Sequence, residues 1–153
     1  MRENKGFTLI EIMIVIVIIA VMSAIVSLNV GSPNYSRFMT GVEKLANTFA
    51  ILADESVFTN SVISCEVEPK SLSCRKYRDG EWKDLPLSKL MAWGWPQGFK
   101  INKIMINGIA LRDKQLIKFI PSGDNGGISL EVTDGNFSAW IDSDLSGHFK
   151  VSN

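Results

Sequence analysis

A long apolar segment near the amino terminus constrains the fold of this chain more than any other feature. Between residues 7 and 28 the only charged residue is Glu11. The other polar side chains of this segment are hydroxyls, at Thr8, Ser23 and Ser27. As a helix the segment would reach roughly 33 Å, which is enough to cross the hydrocarbon core of a bilayer. The sequence therefore predicts a transmembrane helix over residues 7–28.

The six residues before the apolar segment carry Arg2 and Lys5 and end at Gly6. Basic residues at this place favour an amino terminus on the cytoplasmic side. A cleaved secretory signal would have a shorter apolar run, of about 7 to 15 residues, followed by its cleavage site. A plain signal anchor fits the length and the charges but gives Glu11 no role. A short basic leader, residues 1–6, cut before the apolar segment, accounts for all of these features.

The stretch KGFTLIE, residues 5–11, resembles the class III signal of type IV pilins and type II secretion pseudopilins. That signal is a basic leader ending in glycine, then phenylalanine, three residues, and glutamate at the fifth place of the mature chain. The resemblance implies cleavage after Gly6 by an inner-membrane prepilin peptidase, followed by N-methylation of Phe7. A glycine suits the cleavage site because its backbone, which carries no side chain, allows the protease a close approach.

Glu11 is the one carboxylate in the predicted membrane helix. Such a group costs about 2.5 to 3.5 kcal/mol at the centre of a bilayer, and it normally finds a partner. The new amine of Phe7 lies one helical turn away in the same chain, and the resemblance implies pairing with the amine of a neighbouring subunit instead. Glu11 would then favour one axial position during assembly. A glutamate this close to the helix end can also extend to the membrane surface.

The segment after the apolar run predicts an amphipathic continuation of the helix over residues 29–60. Gly31 and Pro33 weaken its first part, where we expect a kink or a local break. Beyond them, apolar residues recur every three or four positions, which predicts one buried face packed on the protein's own sheet. They are Phe38, Val42, Leu45, Phe49 and Leu52.

In residues 61–153, apolar and polar residues alternate with a period of two, which predicts a mainly antiparallel β domain. We expect this domain to lie in the periplasm. The candidate strands cover residues 61–68, 71–78, 99–106, 116–120, 127–134, 136–142 and 147–151, with turn signals such as Asp79-Gly80 and Asn107-Gly108 between them. The fold class is therefore α+β, with a long amino-terminal helix packed on this domain. The order of RKYRDGEW, WGWPQGFKI and IKFIPSGDNGG is similar to that of the H-type minor pseudopilins.

Cys65 and Cys74 flank the turn at residues 69–70. A symmetric hairpin about this turn places the two cysteines opposite each other, with Cβ atoms roughly 4.5 to 5.5 Å apart. An exported domain would lie in the periplasm, where disulfides persist. We expect a disulfide, with two free thiols as the alternative. A metal site is not expected, because two cysteines need further ligands.

DSDLSG, residues 142–147, matches the opening of a calcium loop through Asp142, Asp144 and Ser146. The twelfth position is Asn153 rather than glutamate, and the flanking segments are predicted strands rather than helices. A tight acidic hairpin turn explains the stretch better, and no cofactor or metal is expected.

Aromatic residues and the single histidine offer few further sites. His148 has no serine or cysteine partner in a recognisable motif, so nucleophilic catalysis has no support. Tryptophans can serve a protein interface, and a ring of the turn-rich stretch WGWP could be exposed, but core packing is expected for three of the four. They are Trp82, Trp93, Trp95 and Trp140.

Together these features predict a non-enzymatic structural subunit with a single membrane pass in the bacterial inner membrane. The resemblance implies that its partners are the prepilin peptidase, the inner membrane, and other minor and major pseudopilins of a type II secretion pseudopilus. No small-molecule substrate is expected. Lysine and arginine total 16 against 16 for aspartate and glutamate, so no net charge attracts nucleic acid.

The alternative is a minor type IV pilin that acts in pilus biogenesis or in DNA uptake. DNA binding needs clustered cations that neutralise phosphates. The densest basic run contains Arg75, Lys76 and Arg78, and it is followed at once by Asp79 and Glu81. A membrane-anchored enzyme would need a convergent polar pocket, and the sequence does not indicate one.

Overall fold

The computed structural model describes residues 8–28, 33–90, 94–111, 116–145 and 147–152. Several predicted features lie outside these residues, among them Gly6, Phe7, Trp93, Ser146, Asn153 and the central part of the expected kink. The chain divides into two compact units, an amino-terminal unit, Met1–Ser36, and a carboxy-terminal unit, Arg37–Asn153. Each unit is described by itself.

Helix α1, Leu9–Leu28, makes up most of the amino-terminal unit. Thr8 precedes it, and Glu11 is the acidic residue of its first turn. Within the described residues, no helix combines the length and the apolar character needed to cross a membrane. The assignment of residues 7–28 as a transmembrane helix therefore stays a prediction.

Helix α2, Pro33–Phe58, carries the predicted amphipathic stripe. Proline suits the first helical position, where its missing N–H would lack a partner in any case. The five predicted apolar positions, from Phe38 to Leu52, are all at most 2% exposed. Burial of this face is the main stabilisation of the helix, because propensity alone contributes little in a globular protein. The predicted buried face of α2 is confirmed.

The described β strands form two antiparallel sheets. The first sheet contains β1, Ile63–Glu68, β2, Ser71–Arg78, β3, Glu81–Leu85, and β6, Leu116–Phe119, in the order β3-β2-β1-β6. The second sheet contains β4, Lys100–Ile106, β5, Ile109–Ala110, β7, Ile128–Thr133, β8, Ser138–Ser143, and β9, Phe149–Ser152, in the order β5-β4-β7-β8-β9. A short helix, α3, Leu87–Leu90, follows β3.

Phenylalanine contacts join α2 to both sheets. The ring centroid of Phe49 lies 6.3 Å from that of Phe119 in the first sheet and 5.7 Å from that of Phe149 in the second. Near the start of the helix, Phe38 lies 5.3 Å from Phe99, next to β4. One core therefore lies between the helix and the two sheets, as expected for an α+β domain.

The α+β fold class is confirmed, and each candidate strand is found with small shifts of its ends. Three elements were not predicted, namely β3, α3 and β5. The whole of β3 is exposed or half-buried, so it lacks the alternation of buried residues that marks a strand in the sequence. It forms because it pairs with β2 across the turn at Asp79 and Gly80, whose φ angles are 55° and 85°.

Candidate functional site

The first turn of α1 holds the predicted assembly residue, Glu11. Its backbone N–H donates to the hydroxyl oxygen of Thr8 over 3.3 Å and to the carbonyl oxygen of Thr8 over 3.1 Å. Thr8 thus acts as the N-cap, and the spacing of the two residues is that of a capping box. A carboxylate in the first helical turn also interacts favourably with the helix dipole.

The side chain of Glu11 is exposed, as are those of the described neighbours along α1 up to Met22. It is therefore open to a partner beyond its own helix. Gly6 and Phe7 lie outside the described residues, so the distance between the carboxylate and the future amine is not described. The processing roles of Gly6 and Phe7 and the assembly role of Glu11 stay predictions.

Cys65 and Cys74 lie opposite each other on β1 and β2, in the register expected from the turn between them. The structure joins them by a disulfide, with Cα atoms 4.0 Å apart. Both side chains are buried, at 0% and 4% exposure, and they belong to the core. The pair lies in the hairpin interior, where it can stabilise the fold but cannot readily meet another thiol.

The carboxylates in and beside the turn between β8 and β9 contact residues of the same hairpin. An oxygen of Asp144 accepts the backbone N–H of His148 over 3.0 Å, and its other oxygen lies 3.4 Å from the imidazole Nδ1. Asp142 accepts the hydroxyl of Ser152 over 3.0 Å. Among the described residues, no group of three or more histidines, cysteines or carboxylates could hold a metal ion. These contacts are those of a hairpin turn.

The described tryptophans differ in their surroundings. Trp82 is 49% exposed, and its ring lies 5.2 Å from that of Tyr77. Trp95 is half-buried against the core and donates its indole N–H to the carbonyl of Phe99 over 3.1 Å. Trp140 is also half-buried. Trp95 therefore packs against the core as expected, whereas Trp82 is exposed and is placed to contact a partner.

The densest basic run of the sequence is matched by acidic side chains. Arg75 Nε lies 3.2 Å from Asp84 Oδ1, Lys76 Nζ 2.7 Å from Glu55 Oε1, and Arg78 Nε 3.6 Å from Asp79 Oδ2. Because each cation has a carboxylate within reach, the run does not present a continuous positive surface to phosphates.

A groove on the first sheet was not predicted from the sequence. Strand alternation turns Cys65 and Val67 of β1 into the core, whereas Ser64 and Glu66 point to the opposite face. On that face lies a groove of about 900 Å³, which we call the outer-face groove. Its walls include Glu66, Arg75, Trp82, Asp84, Leu87 and Leu116. The alternation along each strand predicts which face of the sheet a residue lies on. It does not predict that β6 pairs with β1, which places Leu116 opposite Glu66, because these strands are far apart in the sequence.

Comparisons with known proteins agree with the amino-terminal motif. Residues 1–27 match the family described as the prokaryotic N-terminal methylation motif. Type II secretion system protein H of Pseudomonas aeruginosa is 33% identical over 90 residues, which cover 58% of this chain. The same match covers 52% of that protein, so the chain matches about half the length of this relative.

A solved structure resembles the fold. It is that of the minor pseudopilin EpsH from the type 2 secretion system of Vibrio cholerae, with a TM-score of 0.57 and 10% sequence identity. The likeness covers 76% of this chain and 94% of that one. At this identity the likeness shows the fold alone. The resemblance to pilins and pseudopilins stated from residues 5–11 is confirmed, and so is the similarity to the H-type subunits.

Proposed function

We propose that this chain is a minor pseudopilin of a type II protein secretion system, a structural subunit of the periplasmic pseudopilus that helps to export folded proteins across the outer membrane. The observation that carries the proposal is the conjunction of two features in one chain. Residues 1–27 match the methylation motif, and the carboxy-terminal part has the fold of a minor pseudopilin.

Processing and anchoring would follow from the amino-terminal segment. A prepilin peptidase would cut after Gly6 and leave the amine of Phe7 to be methylated. The apolar segment, residues 7–28, would hold the subunit in the inner membrane with a single pass, and the β domain would lie in the periplasm. The charge pattern of the sequence supports this orientation, since the basic residues precede the apolar run.

Assembly would use Glu11 as a registry residue. Its carboxylate lies in the first turn of α1 and is exposed, so it can pair with the amine of a neighbouring subunit. Leaving a membrane carboxylate without a partner is costly, so the position in which the pair forms is favoured over other axial positions. The partners are other minor and major pseudopilins, and the subunit has no enzymatic role of its own.

DNA uptake by a minor type IV pilin is less well supported. The three cations of the densest basic run each have a carboxylate partner, at Asp84, Glu55 and Asp79. Although exposed ion pairs contribute little stability, they keep the local net charge near zero. Binding to DNA draws on an excess of cations, which this surface does not offer.

Deletion and complementation of the gene test the proposal. We expect that a strain without the chain retains the folded substrates of its type II system in the periplasm, and that the plasmid-borne gene restores their release. Transformation frequency, measured in the same strains, should not change. Normal secretion together with a loss of transformation would favour the pilin alternative and contradict the proposal.

A further inference from the structure

We propose that one end of the carboxy-terminal unit docks on the anionic headgroups of the inner membrane, through Arg37, Lys70 and Lys100. We call this end the entry end, because the chain enters the unit there, at Arg37. The inference rests on the anchoring part of the proposed function and extends it. It gives the β domain a lipid-binding surface of its own, in addition to the apolar segment, residues 7–28.

Aromatic contacts bring Arg37 and Lys100 to the same end of the unit. The ring centroid of Phe38, next to Arg37 in α2, lies 5.3 Å from that of Phe99 and 5.8 Å from that of Phe137. Lys100 follows Phe99 and begins β4. The entry end therefore contains the first residues of α2 in the unit, the segment before β4, and the turn between β7 and β8.

A backbone hydrogen bond adds the turn between β1 and β2 to the entry end. The N–H of Ile101 donates to the carbonyl oxygen of Pro69 over 3.0 Å. Lys70 is the next residue, and it is exposed, as are Arg37 and Lys100. Three exposed cations thus lie on chain segments that meet at this end.

None of these three cations forms an ion pair with a carboxylate of the described residues. The acids in the described turns of the entry end are held by hydrogen bonds within those turns. Glu68 accepts the hydroxyl of Ser71 over 2.7 Å, and Asp134 accepts the backbone N–H of Asn136 over 2.9 Å. The ammonium and guanidinium groups are therefore available to anions from outside the chain.

The opposite end of the unit is acidic, and we call it the far end. Helix α2 ends there, since the side chain of Val57 lies 4.0 Å from the Cβ position of Gly123. The turns between β2 and β3 and between β8 and β9 lie at the same end of their strands. Exposed acids of these turns and of the loop after β6 are Asp79, Glu81, Asp124 and Asp144. An anionic surface would attract the entry end and repel the far end.

The predicted anchor keeps the entry end within reach of a bilayer. Arg37 is nine positions after Leu28, so even a fully extended chain holds it within about 32 Å of the end of the apolar segment. Lysine and arginine side chains near an anionic lipid surface are attracted to it. Trp95, half-buried in the segment before β4, is of a residue type enriched at membrane surfaces. The phosphates of a lipid such as phosphatidylglycerol therefore fit this end.

Fluorescence quenching in lipid nanodiscs tests the inference. The full-length chain would carry a coumarin amino acid at Gln97, exposed at the entry end, or at Ser122, exposed at the far end. The nanodiscs would contain lipids with a nitroxide quencher on the headgroup. We expect quenching at Gln97 to rise at least about twofold when one third of the phosphatidylcholine is replaced by phosphatidylglycerol. High salt should reverse the rise, because it screens the attraction. Quenching at Ser122 should not change.

Charge variants separate docking by these cations from a general effect of charge. Lys70→Glu together with Lys100→Glu should abolish the rise at Gln97. The matched control is Lys83→Glu together with Lys118→Glu, which changes the net charge equally at exposed lysines of the first sheet, outside the entry end. The control should keep the rise, and both double variants should have the thermal stability of the original protein.

Other results would overturn the inference. They include equal quenching at Gln97 in the two lipid mixtures, and equal effects of the two double variants. Release of the quenching by an added DNA duplex would identify nucleic acid as the ligand of the entry end instead. A chain that does not enter the nanodiscs would contradict the anchor and the inference together. A chain that enters them but does not respond to phosphatidylglycerol would leave the proposed function intact and contradict the inference alone.

Discussion

Gly41 of α2 lies directly against the ring of Phe99. A Cβ atom placed at position 41 would come within 2.5 Å of the Cζ atom of Phe99, which is closer than van der Waals contact allows. The ring cannot easily turn away, because Phe99 is 5% exposed and packs against Phe38. The absence of a side chain at Gly41 thus sets how closely α2 approaches the segment that enters β4.

The first prediction concerns this contact. Gly41→Ala should lower the free energy of unfolding by about 1 to 2 kcal/mol, since the overpacking outweighs the gain in helix propensity. Thermal and denaturant unfolding of the purified protein would measure the change. Gly94→Ala is the control, because a Cβ there meets nothing within 4 Å. An equal or higher stability of Gly41→Ala would contradict the packing described here.

The second prediction concerns the disulfide. Cys65 and Cys74 are nine residues apart, and closing such a short loop stabilises a domain by about 2 to 3 kcal/mol. The double substitution Cys65→Ala and Cys74→Ala should lower the free energy of unfolding by at least this amount, because two buried sulfurs are also lost. Thiol labelling of the unfolded periplasmic protein should find no free thiol unless a reductant is added. Two labelled cysteines without reductant would show that the bridge does not form.

The third prediction concerns the ion pair between α2 and β2. Lys76 Nζ lies 2.7 Å from Glu55 Oε1, and the two side chains are only 13% and 26% exposed. Glu55→Gln should destabilise the protein by about 1 to 3 kcal/mol, because it leaves a largely buried ammonium group without its counter-charge. Adding Lys76→Met should recover most of this loss, as a double-mutant cycle would show. Additive losses would mean that the two groups do not interact.

Much of the carboxy-terminal fold could be predicted from local patterns. Apolar residues spaced by three or four positions predicted the buried face of α2. The turn at residues 69–70 predicted that Cys65 and Cys74 lie opposite each other. Both depend on residues close in the chain. The pair Glu55 and Lys76 could not be predicted, since it needs the packing of a helix on a strand.

Strands β3 and β5 were not predicted, for a different reason. Asn107 and Gly108 have φ angles of 51° and 78°, which suit a two-residue hairpin turn, and β5 follows them. The same holds for Asp79 and Gly80 before β3. The turn signals were visible in the sequence, but the strands after them are exposed and lack alternating burial. The outer-face groove was missed for a related reason, because it depends on the order of the strands in the first sheet.

The fourth prediction concerns Glu11. Glu11→Ala should be cleaved after Gly6 like the original chain but should enter pseudopili poorly, because the pairing that favours one axial position is lost. Gel mobility would follow cleavage, and immunoblotting of isolated pseudopili would follow incorporation. Glu43→Ala, which removes an exposed carboxylate from α2, is the control and should be incorporated normally. Normal incorporation of Glu11→Ala would remove the registry role.

Mass spectrometry of pseudopili isolated from cells tests the central claim most directly. The account predicts that this chain is present among the pseudopilins, and that its first residue is a methylated Phe7 without residues 1–6. A chain that is absent from the pseudopili, or that keeps its leader in the membrane, would contradict its assignment as a processed pseudopilus subunit.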